Sequence, residues 1–289
     1  EVNEIKGVIK YFKPSNLKKF FLNDVKEENI NLKLDLNLFN NQIRDYEING
    51  TVKNFFADVQ NVNLKKTSFI YLIKKDSGEI DNVRGYINGF QINSGSIKFE
   101  NSKLLNIEGN IASDLKLNKF DFDTIIKKET LQNFENLELN GKVQSFFKIN
   151  FDKTLKVMDF LVEASGNIQK SNIKFKKPQK YLFVKKEINK LRVEKTEFKI
   201  NYGQGEKKLI SLSGLYKIND NSLQKFSFRN LYDSNLQQLS INGDFDNEIT
   251  IPFINFSSKN NIVNIDTLLE ISKNSVNLKK FKLSEDKNK

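Results

Sequence analysis

The 289-residue sequence has no histidine, no cysteine and no tryptophan, and only one methionine and three prolines. Without cysteine there is neither a disulfide framework nor a thiolate nucleophile. Without histidine as well, the usual catalytic triads lack their base and zinc lacks its common ligands. Long apolar runs are missing too. The longest, Phe69-Ile70-Tyr71-Leu72-Ile73, falls far short of the ~20 residues a membrane helix needs. There is no phosphate-binding loop and no G-x-S-x-G. Gly203-x-Gly205 lacks a third glycine and reads as a turn. Carboxylate pairs such as Asp121 and Asp123 suit helix capping or solvation, since nothing places a second acid for glycosidase chemistry. The expectation is a non-enzymatic chain with no cofactor and no metal.

Linkers rich in Pro, Gly or Ser are also absent. The chain therefore reads as a single elongated β-rich domain over residues 1–283, with a frayed tail over 284–289. It opens on Glu1 without a charged-then-apolar leader, which suggests an internal piece of a longer protein or a processed chain. Any membrane anchor is then expected outside it. Asn49-Gly-Thr51 and Asn255-Phe-Ser257 match the glycosylation triplet, as chance predicts in so Asn-rich a chain.

What is present is charge and alternation. The formal charge of +11 invites a nucleic-acid reading. Against it, the densest basic runs are isolated pairs (Lys65-Lys66, Lys127-Lys128, Lys176-Lys177, Lys185-Lys186, Lys207-Lys208), and arginine, the better phosphate fork, is scarce. The abundance of Lys, Asn, Ile and Phe fits an AT-rich coding bias, so nucleic acid is an unlikely partner. With 38% hydrophobic and 29% charged residues, the chain can bury a core.

Period-two alternation runs through most of the sequence, the mark of strands with one apolar and one wet face. Asn31–Leu38 places Leu32, Leu34, Leu36 and Leu38 together. Tyr46–Phe56 aligns Ile48, Gly50, Val52 and Phe56. From Leu105 to Leu117 the apolar set is Leu105, Ile107, Gly109, Ile111, Leu115 and Leu117. Further strands are expected at 59–64, 68–74, 83–92, 96–99, 137–143, 147–151, 159–168, 171–175, 192–202, 209–218, 224–229, 238–245, 248–256, 262–265 and 275–283. Asp76-Ser77-Gly78 reads as a hairpin turn. Short helices are expected near 15–25, from Leu17, Phe20, Phe21 and Val25 on one face, and near 121–133. Residues 178–191 fit either period.

One unit recurs: apolar-x-Gly-x-apolar, at Gly50, Gly109, Gly141, Gly166, Gly214 and Gly243. Each glycine shares the parity of its apolar neighbours, and the spacing is irregular, so this is not a fixed-length solenoid repeat. Asn-Gly is a strong hairpin signal and competes at Gly50, Gly141 and Gly243, as well as at Asn88-Gly89. Alternation continues through the glycines without slipping, so mid-strand positions are favoured, where a small residue lets a sheet bend or bulge. The expected fold is mainly β: one long, strongly curled antiparallel sheet, an open trough or groove, with one or two short helices.

These one-sided strands carrying apolar-x-Gly, with a short helix after Tyr11-Phe12-Lys13-Pro14, resemble the AsmA-like family of envelope proteins over about residues 5 to 256. The likeness is nearest to the middle region of its large YhdP- and TamB-type members. The resemblance implies a periplasmic protein, held to the inner membrane by an N-terminal helix outside this chain. It also implies an apolar trough carrying phospholipid acyl chains between the inner and outer membranes. Exposing such chains to water costs ~0.8 kcal/mol per methylene, on the order of 12 kcal/mol for sixteen carbons. The lipid-facing residues would be Leu32, Leu34, Leu36, Leu38, Ile48, Val52, Leu105, Ile107, Ile111, Leu115, Leu117, Leu139, Val143, Ile168, Leu212, Ile241 and Phe245, with the six glycines setting curvature. The alternative is a structural or adhesive β-solenoid or sandwich whose apolar face is closed core.

Overall fold

The computed structural model of the chain describes residues 25–39, 42–59, 62–124, 127–205, 207–258 and 262–285. Fourteen strands form one antiparallel sheet, almost entirely in chain order. They are β1 (Val25–Phe39), β2 (Gln42–Val59), β3 (Val62–Lys74), β4 (Ser77–Ile87), β5 (Phe90–Asn101), β6 (Leu105–Leu117), β7 (Phe134–Phe151), β8 (Val157–Tyr181), β9 (Val184–Gly203), β10 (Lys208–Ile218), β11 (Gln224–Asp233) and β12 (Leu236–Phe245), followed by β15 (Val263–Ile271) and β16 (Val276–Glu285). Between β12 and β15, the two-residue strands β13 (Thr250–Ile251) and β14 (Phe256–Ser257) pair only with each other. The mainly-β expectation and the single antiparallel sheet hold.

The chain divides into two compact units. One comprises residues 1–114 with 144–161, the other residues 115–143 with 162–289. In the first, Val52, Phe55, Ala57 and Tyr71 form a buried cluster flanked by Ile48, Leu64, Phe69, Ile73 and Ile80. Phe69 meets both Phe55 and Tyr71 edge to face, the arrangement aromatic quadrupoles prefer.

Several expected elements are redrawn. The helix near 15–25 falls outside the described residues except for Val25, which opens β1. Residues 25–29, expected as its acidic end, are strand, paired from Val25 opposite Ala57 to Asn29 opposite Lys53; ladder hydrogen bonds to β2 outweigh the local signal. The helix near 121–133 shrinks to a 3-10 turn, Asp121–Thr124, and one helical turn, α1 (Lys128–Leu131), anchored by the buried Leu131. The strand expected over 83–92 is two strands. Asn88 and Gly89 turn between them at φ of +50° and +85°, and the Asn88 side chain accepts the Asn63 N–H at 2.6 Å.

The pieces expected at 159–168 and 171–175 are one strand, β8, and those at 137–143 and 147–151 are one strand, β7. The ambiguous stretch 178–191 is the end of β8, a turn at 182–183 and the start of β9. Pro178 is tolerated because β7 begins at Phe134, and the Lys176 N–H already bonds the Asn133 carbonyl just before it; beyond that point β8 has no β7 partner needing a donor. The strand expected over 248–256 is broken by Pro252, which opens a 3-10 turn that Asn255 ends in the left-handed region at φ +50°. Ser284 and Glu285 are not frayed: they lie opposite Asn264 and Val263 in β16.

All six glycines of the recurring unit lie inside strands β2, β6, β7, β8, β10 and β12. The hairpin reading is thus overturned at Gly50, Gly141 and Gly243 and upheld at Gly89. Gly109 shows what such a position accommodates: a Cβ there would lie 2.6 Å from the Phe147 ring and 2.9 Å from the Ser96 carbonyl oxygen. A ring laid over a strand glycine restores the burial that glycine lacks. The ring can swing aside but the carbonyl cannot. Gly109→Val is therefore expected to destabilise the first unit by about 1–3 kcal/mol, read as a lower denaturant midpoint; an unchanged midpoint would refute the packing argument.

One repeat escaped the sequence pattern. In β3, Lys66 adopts φ +50° and Thr67 is buried; in β9, Lys195 adopts φ +45° and Thr196 is buried. Each pair is a β-bulge at a register shift, against β4 and β10 respectively. Each threonine hydroxyl donates two residues back, to the Lys65 carbonyl at 3.3 Å and the Glu194 carbonyl at 2.9 Å. Each faces a glycine eighteen residues on, Gly85 and Gly214. A Cβ on these would lie 2.6 Å from the Thr67 Cα and 2.5 Å from the Thr196 Cα. Each glycine strand then ends at an asparagine with φ +50°, Asn88 or Asn219, whose N–H donates to Asn63 or Lys190. The shared signature is Lys-Thr-x-Phe, at residues 66–69 and 195–198. The bulge restores the parity of the strand, so Phe69 and Phe198 rejoin the apolar face.

Candidate functional site

Direct cross-strand partners share a face of the sheet, so register carries each strand's apolar set onto the next. In the first unit, Leu32 and Leu34 lie opposite Gly50 and Ile48, while Leu36 lies opposite Tyr46 and Leu38 opposite Ile43 after a shift. Gly50, Ile48 and Val52 lie opposite Tyr71, Ile73 and Phe69. Tyr71 lies opposite Ile80, and Ile80 opposite Ile97. Ile97, Phe99, Gly95 and Asn101 then lie opposite Gly109, Ile107, Ile111 and Leu105. Leu115 and Leu117 close the same strand but belong to the second unit.

The opposite face is polar and knitted by ions. Lys74 meets Glu47 at 3.6 Å and Lys98 meets Glu79 at 3.0 Å, both as direct cross-strand partners. Hydrogen bonding to Glu79 raises the Lys98 pKa. Such exposed pairs are screened by solvent and add little to stability.

The second unit holds the more complete arrangement. There the apolar set forms rows running across strands β9, β10, β11, β12, β15 and β16. One row is Phe198, Leu212, Phe228, Ile241, Thr267 and Phe281; the row beside it is Ile200, Ile210, Asn230, Leu239, Leu269 and Leu278. Gly214, Phe226, Gly243, Ile265 and Leu283 form a third. Gly166 joins this face through the Phe198 ring, 3.0 Å from where its Cβ would stand, and Ile168 shares its parity on β8. Leu139, Gly141 and Val143 alternate on β7, with Gly141 against the backbone of Asn167 and Ile168. Ile210, Ile241 and Phe281 remain 42%, 41% and 45% exposed, although burial of such side chains stabilises by about 1.5–3 kcal/mol each.

One end of this face is closed. The segment between β12 and β15 folds over it, so that Ile249, Ile251 and the fully buried Val263 cluster with Phe245, Phe256, Ile265 and Leu283. Ser258 fixes the segment by accepting the Ile249 N–H at 2.9 Å. It is tied to the start of β9, where the Lys185 N–H donates to Glu248 and the Thr250 N–H to Phe183. Beside it, the Tyr216 ring meets Phe226 edge to face and its hydroxyl donates to the Asp244 carbonyl at 2.7 Å. Burial pushes the Tyr216 pKa well above its ordinary value, with Asp244 and Asp246 adding repulsion.

Two consequences follow for Tyr216. Tyr216→Phe leaves a carbonyl without its donor and is expected to cost about 1–2 kcal/mol. Because the folded state holds this proton more tightly than the unfolded chain, its contribution is complete below pH ~10 and is lost as pH rises above that. Denaturant midpoints measured up to alkaline pH should fall more steeply for the wild type than for Tyr216→Phe; identical slopes would refute this.

The other end is open and differs chemically. Tyr202, Lys208, Tyr232 and Gln237 form its row. The Lys208 ammonium sits 4.7 Å from the Tyr202 ring centroid and 5.7 Å from that of Tyr232. The nearby acid of β11, Asp233, is on the opposite parity and is held by Lys207 at 2.8 Å.

Among the described residues no cluster of three acidic, histidine or cysteine side chains could hold a metal, and no helix is long and apolar enough to cross a membrane. In comparisons with family models, curated proteins and solved structures, the chain matches none. Sequence reasoning missed Phe198, Ile210, Phe226, Phe228 and Phe281 as members of the face, though each alternates visibly within its own strand. It also missed the closing segment and the Tyr-Lys-Tyr end, which only register assembles.

Proposed function

We propose that this chain binds phospholipid through the apolar face of its sheet, without enzymatic chemistry, as a segment of an AsmA-like envelope protein. The observation that carries the reading is the face of the second unit, where register joins six strands into mainly apolar rows, interrupted at Asn230 and Thr267, and leaves Ile210, Ile241 and Phe281 more than two-fifths exposed. Contiguous exposed apolar surface of this kind marks a binding site. The proposal includes curvature sufficient to make the face a trough; the bulges in β2, β3, β9 and β16 support it. It also includes a periplasmic setting, anchorage to the inner membrane by a segment outside this chain, and acyl chains carried towards the outer membrane. The cross-strand pairing of several lysines with acids supports a lipid partner over nucleic acid.

The competing reading, a structural or adhesive domain with a closed core, draws on the buried Val52–Phe55–Ala57–Tyr71 cluster and the covered Val263. Mass spectrometry of lipid extracted from the purified protein separates the two. Phospholipid in near-stoichiometric amount is expected; its absence, with no uptake from added vesicles, would favour the closed core.

A further inference from the structure

We propose that Lys208, framed by Tyr202 and Tyr232, is a headgroup site for an anionic glycerophospholipid, whose acyl chain lies along the strands towards the segment that closes the face at Ile249 and Ile251. This rests on the lipid-binding reading above and adds where the lipid sits and which charge it carries.

The argument starts from the two unlike ends of one apolar surface. At the closed end, Ile251 and Val263 are buried and nothing polar needs to enter. At the open end stands a cation between two rings. Among the described residues, Lys208 is the one charged side chain on this face between the Tyr202 row and the Gly243 row. Lysine ordinarily extends into water, yet here cation–π attraction holds the ammonium at the margin of the apolar surface. Tyr202 and Tyr232 pair an apolar body with a hydroxyl, the composition suited to a boundary that is oily on one side and wet on the other. Asp233 does not neutralise the site, because Lys207 holds it on the other face.

Length agrees. From Gln237 at the open row to Gly243 beside the closing segment, β12 spans ~20 Å at 3.3 Å per residue, on the scale of one extended acyl chain. A phosphate at Lys208 would leave that chain over Ile210, Leu212, Phe228 and Ile241. An apolar surface alone would accept any lipid; the cation selects those with net negative headgroups.

Incubating the full chain with vesicles of phosphatidylglycerol or of phosphatidylcholine, and measuring the lipid each sample extracts, tests this. The wild type should take phosphatidylglycerol over phosphatidylcholine by about fivefold, the effect of one lysine at an anionic surface. Lys208→Gln should lose that preference while still extracting phosphatidylcholine. Lys199→Gln, an equal charge change on the opposite face, should keep it, which separates the site from the general attraction of a +11 chain. Lys208 is at the margin, so an unchanged melting temperature is expected to accompany the loss. Extraction without preference in the wild type, or a preference that persists in Lys208→Gln, would overturn the headgroup site and leave the lipid-binding face standing. Extraction of neither lipid would overturn both.

Discussion

Gly214→Val is expected to unfold the second unit. A Cβ at this position would stand 2.5 Å from the Thr196 Cα and 2.7 Å from the Thr196 Cβ. No rotamer change relieves a clash with backbone. Thr196 cannot retreat either: it is fully buried, its hydroxyl is bonded to the Glu194 carbonyl, and Lys195 beside it already holds a left-handed conformation. Overpacking costs about 1–3 kcal/mol where side chains can yield; here the backbone must move, so a loss above ~3 kcal/mol is expected, from a total of only about 5–15. Gly85→Val should act likewise in the first unit, with the added strain of φ +142°. Ser213→Val, one residue away and on the exposed face, should change stability by less than about 0.5 kcal/mol. Urea midpoints of the three variants provide the test. If Gly214→Val and Ser213→Val unfold at the same urea concentration, the bulge does not dictate the glycine.

The second large effect is on binding rather than stability. Ile241→Asp places a carboxylate in the middle of the row formed by Leu212, Phe228 and Phe281. Ile241 is already 41% exposed, so the new charge can stay hydrated in the lipid-free protein, and a stability loss of about 1 kcal/mol is expected. With an acyl chain seated on the face that hydration is lost. An aspartate amid hydrocarbon costs roughly 2.5–3.5 kcal/mol, so phospholipid loading should fall on the order of a hundredfold. Asn242→Asp, on the polar face opposite Asp266 and Ser227, should load like the wild type. Equal loading by Ile241→Asp and the wild type would exclude this face as the binding surface.

Much of the fold was legible because strand alternation is a local signal. Leu105 to Leu117 reads as one amphipathic strand and is one, with Gly109 inside it. Where local chemistry competed, pairing decided. Asn49-Gly50 and Asn88-Gly89 are the same dipeptide, yet only the second turns. Gly50 sits within an eighteen-residue strand laddered on both sides, whereas Asn88 has Asn63 to receive its side chain. The break at Pro252 was visible as a residue and overlooked amid alternating neighbours. The Lys-Thr-x-Phe repeat was present as four letters, but its meaning lies in partners eighteen residues away.

By itself the sequence determined that this protein is a sheet of one-sided strands without His or Cys chemistry, because alternation and composition are properties of each segment alone. Only the tertiary structure decided which apolar sets meet in one row, that the segment from Asn247 to Ser258 closes one end, and that Lys208 meets Tyr202 and Tyr232 at the other. A one-residue change of register would send each side chain to the opposite face. Register, in turn, is set by bulges such as Lys195-Thr196 and by the strand that each one faces.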